Sequence, residues 1–333
     1  MLAFIIQRIL RMIPLFFLLS IIAFTIIQLP PGDYLTEHIN NLRASGMQVD
    51  QTEVERLTKQ YALDRPMYIQ YTTWIGNILT KGYFGQSFQW GRPVNEVIGE
   101  RLMLTFLIAF LTTIFVWVVA LPIGIYISVR QYTFADYFFT LVGFIGLAVP
   151  GFLLALVIMY FSFAWFDVRV GGLFSSEYQL QPWSWGKVQD MMTRIWVPIV
   201  ILGVGGTANI IRIMRATMLD ELRKQYVTVA RAKGLSEFSV LMRYPVRIAI
   251  NPLISTIGWL LPWFISGGTV VNIVLNLDTA GVVLWRALLS QDMFLAGSYV
   301  LIIGSLTLLG SLISDVLLAV VDPRIRFGST EGL

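Results

Sequence analysis

The chain has 333 residues, 56% hydrophobic and 13% charged, where an average soluble domain carries about 25% charged residues. Its 24 Lys and Arg and 20 Asp and Glu are too few to coat the two soluble domains this length would imply, and its hydrophobicity excludes intrinsic disorder. Zero cysteines exclude a disulfide scaffold, an iron–sulfur cluster and thiolate zinc, and a single histidine, His38, excludes a multi-histidine metal site.

Six charge-free runs follow one another along the chain: 12–32, 102–129, 137–166, 195–211, 248–277 and 293–314. Each reaches the roughly 17–25 residues that a helix needs to cross a bilayer. Runs this long and apolar are helices, because barrel strands alternate over about ten residues. The expected fold is an all-α integral membrane protein with six transmembrane helices. The first run exceeds the roughly 7–15 residues of a signal-peptide core and ends in Pro30-Pro31-Gly32-Asp33 without a small-x-small cleavage site. It reads as an uncleaved span. Pro150-Gly151 predicts a kink in the third span, and Gly203 to Gly206 and Gly267-Gly268 predict close packing or flexible points.

With the N-terminus inside, the inner pieces hold 13 basic against 6 acidic residues, and the outer pieces hold 11 against 13. Seven of the outer basic residues lie in a loop longer than about 60 residues, where the positive-inside rule weakens. Both termini are therefore expected in the cytoplasm. The net +4 reads as a basic inner face and not as a nucleic-acid stripe.

Two polar segments stand out. Residues 33–101 read as a small extracytoplasmic insertion between the first two spans, either a lid on the spans or a binding element. Asp50-Gln51-Thr52-Glu53 fits a helix start, Asp64-Arg65-Pro66 a break, and Gly82, Gly85 and Gly91 turns. Residues 212–250 are the most basic stretch. Leu219, Leu222, Tyr226, Val229 and Ala230 recur at helical spacing. Gly234 follows Arg231 and Lys233 as a helix C-terminus prefers, Ser236 is placed to cap a second helix with Glu237 in its first turn, and Pro245 predicts a break at Tyr244. The result is a helix, a glycine elbow and a short helix, which an interfacial hairpin with a basic face would also satisfy.

A helix, glycine elbow and second helix between two late spans resembles the coupling loop of ABC importer permeases. Thr228-Val229-Ala230 departs from the general Glu-Ala-Ala pattern, and Arg247 stands where its final proline would be. The run Tyr226 to Ser236 instead resembles the loop of the peptide/opine/nickel permeases, specifically the first of their two permease subunits. Arg8 to Pro14, Pro31-Gly32-Asp33, Tyr61 to Pro66, Gln70-Tyr71, Gly85 to Ser87, Arg92-Pro93-Val94 and Asp322 to Arg326 agree in order, over nearly the whole length.

The resemblance implies one permease domain over residues 1–333 in a bacterial or archaeal plasma (inner) membrane. Its implied partners are a second, homologous permease, two ABC ATPase subunits that bind ATP and Mg, an extracytoplasmic solute-binding protein and membrane lipid. No cofactor is expected in this chain, which has no phosphate-loop motif. The expected ATPase-coupling residues are Ala230, Ala232, Lys233, Gly234, Leu235, Ser236 and Glu237, with Lys233 and Glu237 able to make rim ion pairs. Thr207, Asn209, Trp259, Trp263 and Asn272 are candidates for the translocation pathway, as polar or aromatic groups within spans. Oligopeptides come first as substrate, with oligosaccharides as the alternative because Trp74, Trp90, Trp183 and Trp185 fall in outer segments. An ion-driven secondary transporter is the alternative of another class, but no mid-span charged pair or inverted repeat supports it. An integral-membrane enzyme would need histidine, cysteine or carboxylate clusters that the spans lack.

Overall fold

The structure is a computed structural model. It describes residues 2–28, 58–59, 65–87, 89–168, 170–179, 181–290 and 292–321. The expected helix start at Asp50 to Glu53, His38, and the closing Asp322 to Arg326 lie outside the described residues.

The described residues include sixteen elements. They are helices α1 (Leu2–Gln28) and α2 (Met67–Lys81), strands β1 (Gln86–Ser87) and β2 (Arg92–Pro93), and helices α3 (Val94–Val129), α4 (Phe134–Ala148), α5 (Gly151–Phe166), α6 (Trp185–Arg194) and α7 (Trp196–Leu222). There follow α8 (Gln225–Ala232), α9 (Glu237–Arg243), α10 (Pro245–Ala249), α11 (Asn251–Ser266), α12 (Thr269–Val274), α13 (Ala280–Leu289) and α14 (Met293–Val321). Four helices are long and apolar enough to cross a membrane among the described residues: α1, α3, α7 and α14. The α4–α5 pair makes a fifth span if counted as one.

Three expectations change here. The run 137–166 is two helices bent by 99° and not one kinked span. Pro150 forces the residue before it out of helical geometry, so Val149 is extended (φ −82°, ψ 118°) and closes α4. The run 248–277 is broken into α10, α11 and α12, with Gly267-Gly268 between the last two. The fourth span does not end at the first charge. α7 continues through Arg212, Arg215, Asp220 and Glu221 to Leu222, because helical hydrogen bonding is indifferent to the charge of side chains that leave the apolar zone.

The chain divides into two compact units. One comprises residues 7–104 and 279–308. In it Ala23 and Phe24 of α1 bury against Trp74 and Ile75 of α2 and Leu301 of α14. Tyr71 and Ser20 share a hydroxyl hydrogen bond of 2.7 Å, and the Gln28 amide donates to Gln70 at 2.9 Å. α2 therefore lies along the first span. Pro66 stands at the start of α2 and Gly82 ends it in the left-handed region (φ 62°). Gly85 and Gly91, also at positive φ, each stand immediately before a strand of the antiparallel β1–β2 hairpin. Fully buried Asp292 accepts from the Ser87 hydroxyl at 2.5 Å and the Gln89 amide at 3.3 Å, and its other oxygen accepts from Leu295 N at 3.3 Å at the start of α14.

The other unit comprises residues 1–6, 105–278 and 309–333. Its core is built around α7: Ile210, Ile211, Met214 and Met218 pack with Val116, Ala120 and Ile127 of α3, and with Val246, Ala249 and Leu253. The glycines of the fourth span serve close packing, as expected. A Cβ on Gly203 would stand 2.6 Å from the Phe115 ring, and one on Gly206 would stand 3.2 Å from Val116.

Candidate coupling elbow and cavity

α7 ends in a tight turn, with Lys224 N donating to Glu221 O at 3.1 Å, and the chain restarts as α8. The Tyr226 hydroxyl donates to the Glu221 carboxylate across that turn. Burial first, and the carboxylate second, push the Tyr226 hydroxyl pKa well up, so the phenol stays a donor. Val227 and Ala230 of α8 pack on Val240 of α9, with Tyr226 and Leu235 at the margin. Val229, which the sequence spacing favours, is exposed, because the turn at Arg223-Lys224 resets the helical phase.

Gly234 forms the elbow at φ +76°, a conformation that costs glycine little and a β-branched residue much. A Cβ there would meet nothing within 4 Å, so the demand is on backbone conformation alone. Ala232, Lys233, Ser236 and Glu237 are exposed and Ala230 is buried. Ser236 occupies the expected N-cap position, but its hydroxyl makes no cap bond. It pairs with the Ser239 hydroxyl at 2.9 Å and is thereby diverted from the backbone amides. Glu237 has Arg231 as its partner, through bonds of 2.6 and 3.1 Å across the elbow. The guanidinium holds the Glu237 carboxyl below its ordinary pKa. The pair's contribution is thus complete above the ordinary glutamate range and is lost as pH falls through the lowered value. Both side chains are about half exposed, so that contribution is at most about 1 kcal/mol. Tyr244 (φ −116°, ψ −81°) breaks the helix before Pro245, as expected.

Sequence reasoning missed the face that α9 presents. Phe238 is 73% exposed and Met242 45%, and residues four apart share a helix face. The signal was present as an apolar i, i+4 pair, Phe238 and Met242, on the side of a short helix away from buried Val240.

A cavity of about 400 Å³ lies in the same unit, lined by α3, the α4–α5 bend, α7, α11 and α12. Asn209 and Trp263 are both on its wall, and Asn209 accepts from the Arg212 guanidinium at 3.2 Å. Thr207 and Asn272 do not line it. The Thr207 hydroxyl and the Asn272 carbonyl oxygen are buried with no hydrogen-bond partner among the described residues. The side chain of Trp259 lies outside the described residues. Of the tryptophans expected in outer segments, Trp74 is buried, whereas Trp183 and Trp185 are exposed.

Sequence reasoning also missed the ion pair of Asp136 at the start of α4 and Arg215 in α7. The guanidinium Nε and Nη2 each donate to a carboxylate oxygen at 2.8 Å, and the Asp136 side chain is 3% exposed.

The family model described as binding-protein-dependent transport system inner membrane component matches residues 120–327. The chain belongs to this family. The model of the corresponding N-terminal segment matches residues 1–109 of this permease. The permease is 31% identical to the oligopeptide transport system permease protein AppB of Bacillus subtilis, over 98% of its length and 100% of AppB. It is 31% identical to a putative peptide permease protein of Brucella ovis, over 98% and 99% of the two chains. It is 29% identical to the oligopeptide transport system permease protein OppB of Haemophilus influenzae, over 98% and 100%. The family agrees with the resemblance carried by Tyr226 to Ser236 and makes the chain an ABC-type permease subunit. It is a multi-pass inner-membrane transport component and not an enzyme.

Proposed function

We propose that this permease forms half of the translocation pathway of an ATP-driven importer of oligopeptides. A second, homologous permease supplies the other half, an external solute-binding protein delivers the peptide, and two ATPase subunits with ATP and Mg drive the cycle. The observation that carries the reading is the elbow: a positive-φ glycine joins two short helices packed on each other, and the second exposes Phe238 and Met242. That face would seat in a groove on an ATPase by apolar contact, with Lys233 and Glu237 at its rim. Ala230 lets α8 and α9 approach closely. The cavity wall with Asn209 and Trp263 is the pathway segment this chain would contribute.

Relatives named as oligopeptide and peptide permeases support the substrate class. Burial of Trp74 removes one of the aromatics that a sugar-stacking reading would use. The purified solute-binding partner, titrated with a panel of tri- to pentapeptides and of oligosaccharides, is expected to retain peptides. Retention of oligosaccharides alone would overturn the substrate class and leave the permease reading in place.

In this reading the chain crosses the membrane six times, counting α4–α5 as one crossing and α10 to α12 as another. Residues 33–101 lie outside, and 212–250 and both termini inside. The chain has no cysteine, so single-cysteine variants label without background. Tyr68, 69% exposed, replaced with Cys is expected to react with an impermeant maleimide in intact cells. Lys233→Cys is expected to react only in inside-out vesicles from cells lacking the ATPases. The opposite pattern would invert the topology.

A further inference from the structure

We propose that the Asp136–Arg215 pair is a positioning strut that makes α4, and with it the bend at Pro150, follow the movement of the coupling helix. The proposal rests on the reading of the elbow as the ATPase contact.

Four observations carry it. The first is the geometry of the pair. Its two parallel bonds of 2.8 Å form a fork on a carboxylate that is 3% exposed. Asp136 also accepts from Tyr132 N at 3.0 Å and the Thr140 hydroxyl at 3.4 Å. The carboxylate is thereby fixed to the first turn of α4 at the same time as it is fixed to α7. A two-bond fork defines orientation as well as distance, and buried polar pairs are best attested as register devices.

The second is the contact at the other end of α4. The helix packs along α7, and a Cβ on Gly146 would stand 3.1 Å from Val204 and 3.7 Å from Ala208. Asp136 and Gly146 are about 15 Å apart along the helix. α4 is thus held against α7 at both ends, by a fork at one and by close backbone approach at the other.

The third is the junction of α7 with the elbow. The Tyr226–Glu221 bond bridges the turn between α7 and α8, and α8 is packed on α9 through Val227, Ala230 and Val240. A displacement of α9 therefore reaches α7 through bonded and packed groups.

The fourth is what lies beyond α4. Val149 and Pro150 are two extended residues between two helices bent by 99°, and Gly146, Leu147, Val149, Pro150 and Gly151 form part of the cavity wall. A coupling route requires an element with two arrangements, a role that the proposed strut gives to this break. Apolar contact alone would allow α4 to slide on α7 while the bend stayed put. The fork removes that freedom.

The test uses the complete transporter with its ATPases in lipid nanodiscs, and a probe that needs no substrate. Leu154, on the cavity wall, is replaced with Cys in the cysteine-free chain. Its rate of reaction with N-ethylmaleimide is compared without nucleotide and with ATP, Mg and vanadate. In the otherwise unchanged chain the rate is expected to differ by about fivefold or more between the two conditions, within the usual range of coupling between sites. Adding Asp136→Asn with Arg215→Met removes the pair without leaving a buried charge unpaired. In that variant the difference is expected to fall below about twofold while ATP hydrolysis stays within about twofold of the parent. The exchange Asp136→Arg with Arg215→Asp is expected to recover at least about half of the response, the signature of an interaction between the two sites. A full response without the pair overturns the strut, as does an assembled exchange variant that recovers nothing. If the double variant does not assemble, Arg215→Lys keeps the charge but loses the fork. It is then expected to weaken the response, and an unchanged response overturns the proposal. Gly234→Val, run in parallel, separates the two readings. Loss of the response there with an intact response in the pair variants removes the strut and leaves the elbow, whereas an intact response in Gly234→Val removes the elbow itself.

Discussion

Replacing Gly234 with valine is expected to cut uptake sharply while the permease still inserts and pairs with its partner. At φ +76° a β-branched residue is strained by about 1–3 kcal/mol. The added side chain has open space around it, so the strain cannot be attributed to a clash and is relieved only by turning the backbone. The nearest freedom is in the elbow, where Gly234 N holds Arg231 O at 2.9 Å. A backbone rotation there re-aims α9 and carries Phe238 and Met242 off the face they would present. Local strain of this size leaves the buried packing around α7 untouched. Uptake in reconstituted vesicles should fall by at least about tenfold, since about 1.4 kcal/mol of misplacement already costs that factor, and substrate-stimulated ATP hydrolysis should fall with it. Lys233→Ala and Glu237→Gln should each change uptake by less than about fivefold, as exposed charges do. Normal uptake by the valine variant, or a worse defect in Lys233→Ala, would place the centre of the coupling contact elsewhere.

Gly124→Leu is expected to do the reverse and destabilise the assembled protein. A Cβ at Gly124 would lie 2.8 Å from Met214 Cβ and 3.4 Å from the Ile211 carbonyl oxygen. The obstacle is a fully buried neighbour at its stem and not a flexible chain end, so α3 and α7 must separate. Overpacking of a filled core costs about 1–3 kcal/mol, occasionally more, and here it falls on the helix around which the unit is built. The thermal midpoint of the detergent-solubilised complex should drop by several degrees, and its yield should fall. Gly99→Leu is the control. It lies in the same helix with nothing within 4 Å of an added Cβ, and exchanging an exposed helix glycine for leucine is neutral or stabilising. Equal midpoints for the two variants would show that α3 and α7 do not meet at Gly124.

The charge pattern was legible because bilayer crossing demands long apolar stretches: α3 and α14 each contain one of the six runs, and α1 and α7 each hold most of another. Their ends were not legible. A charge reports where the apolar zone stops, whereas the helix stops where its backbone bonding does, at Leu222 and not before Arg212. Pro150 was visible as a perturbation, but a proline alone does not reveal whether neighbours straighten the bend, and here α5 departs at 99°. The elbow was the most legible part of the candidate site, since a glycine after a basic helix end and before Pro245 has few alternatives. Asp136 and Arg215 lie 79 residues apart, and no local pattern joins them. Val227 was missed for a different reason: one turn of non-helical backbone at Arg223-Lys224 shifts the phase on which any periodic reading depends.

The hydrogen bond between Ser87 and Asp292 spans 205 residues. During synthesis at roughly 5–20 residues per second, the β1–β2 hairpin therefore waits some tens of seconds for its anchor. Until the start of α14 emerges, Ser87 and the amide of Gln89 lack the carboxylate that they hold in the finished chain. Closing so long a loop is entropically costly, and a single buried carboxylate just before α14 is what ties the hairpin to this much later segment. A chain truncated before Asp292 would leave the hairpin without this latch.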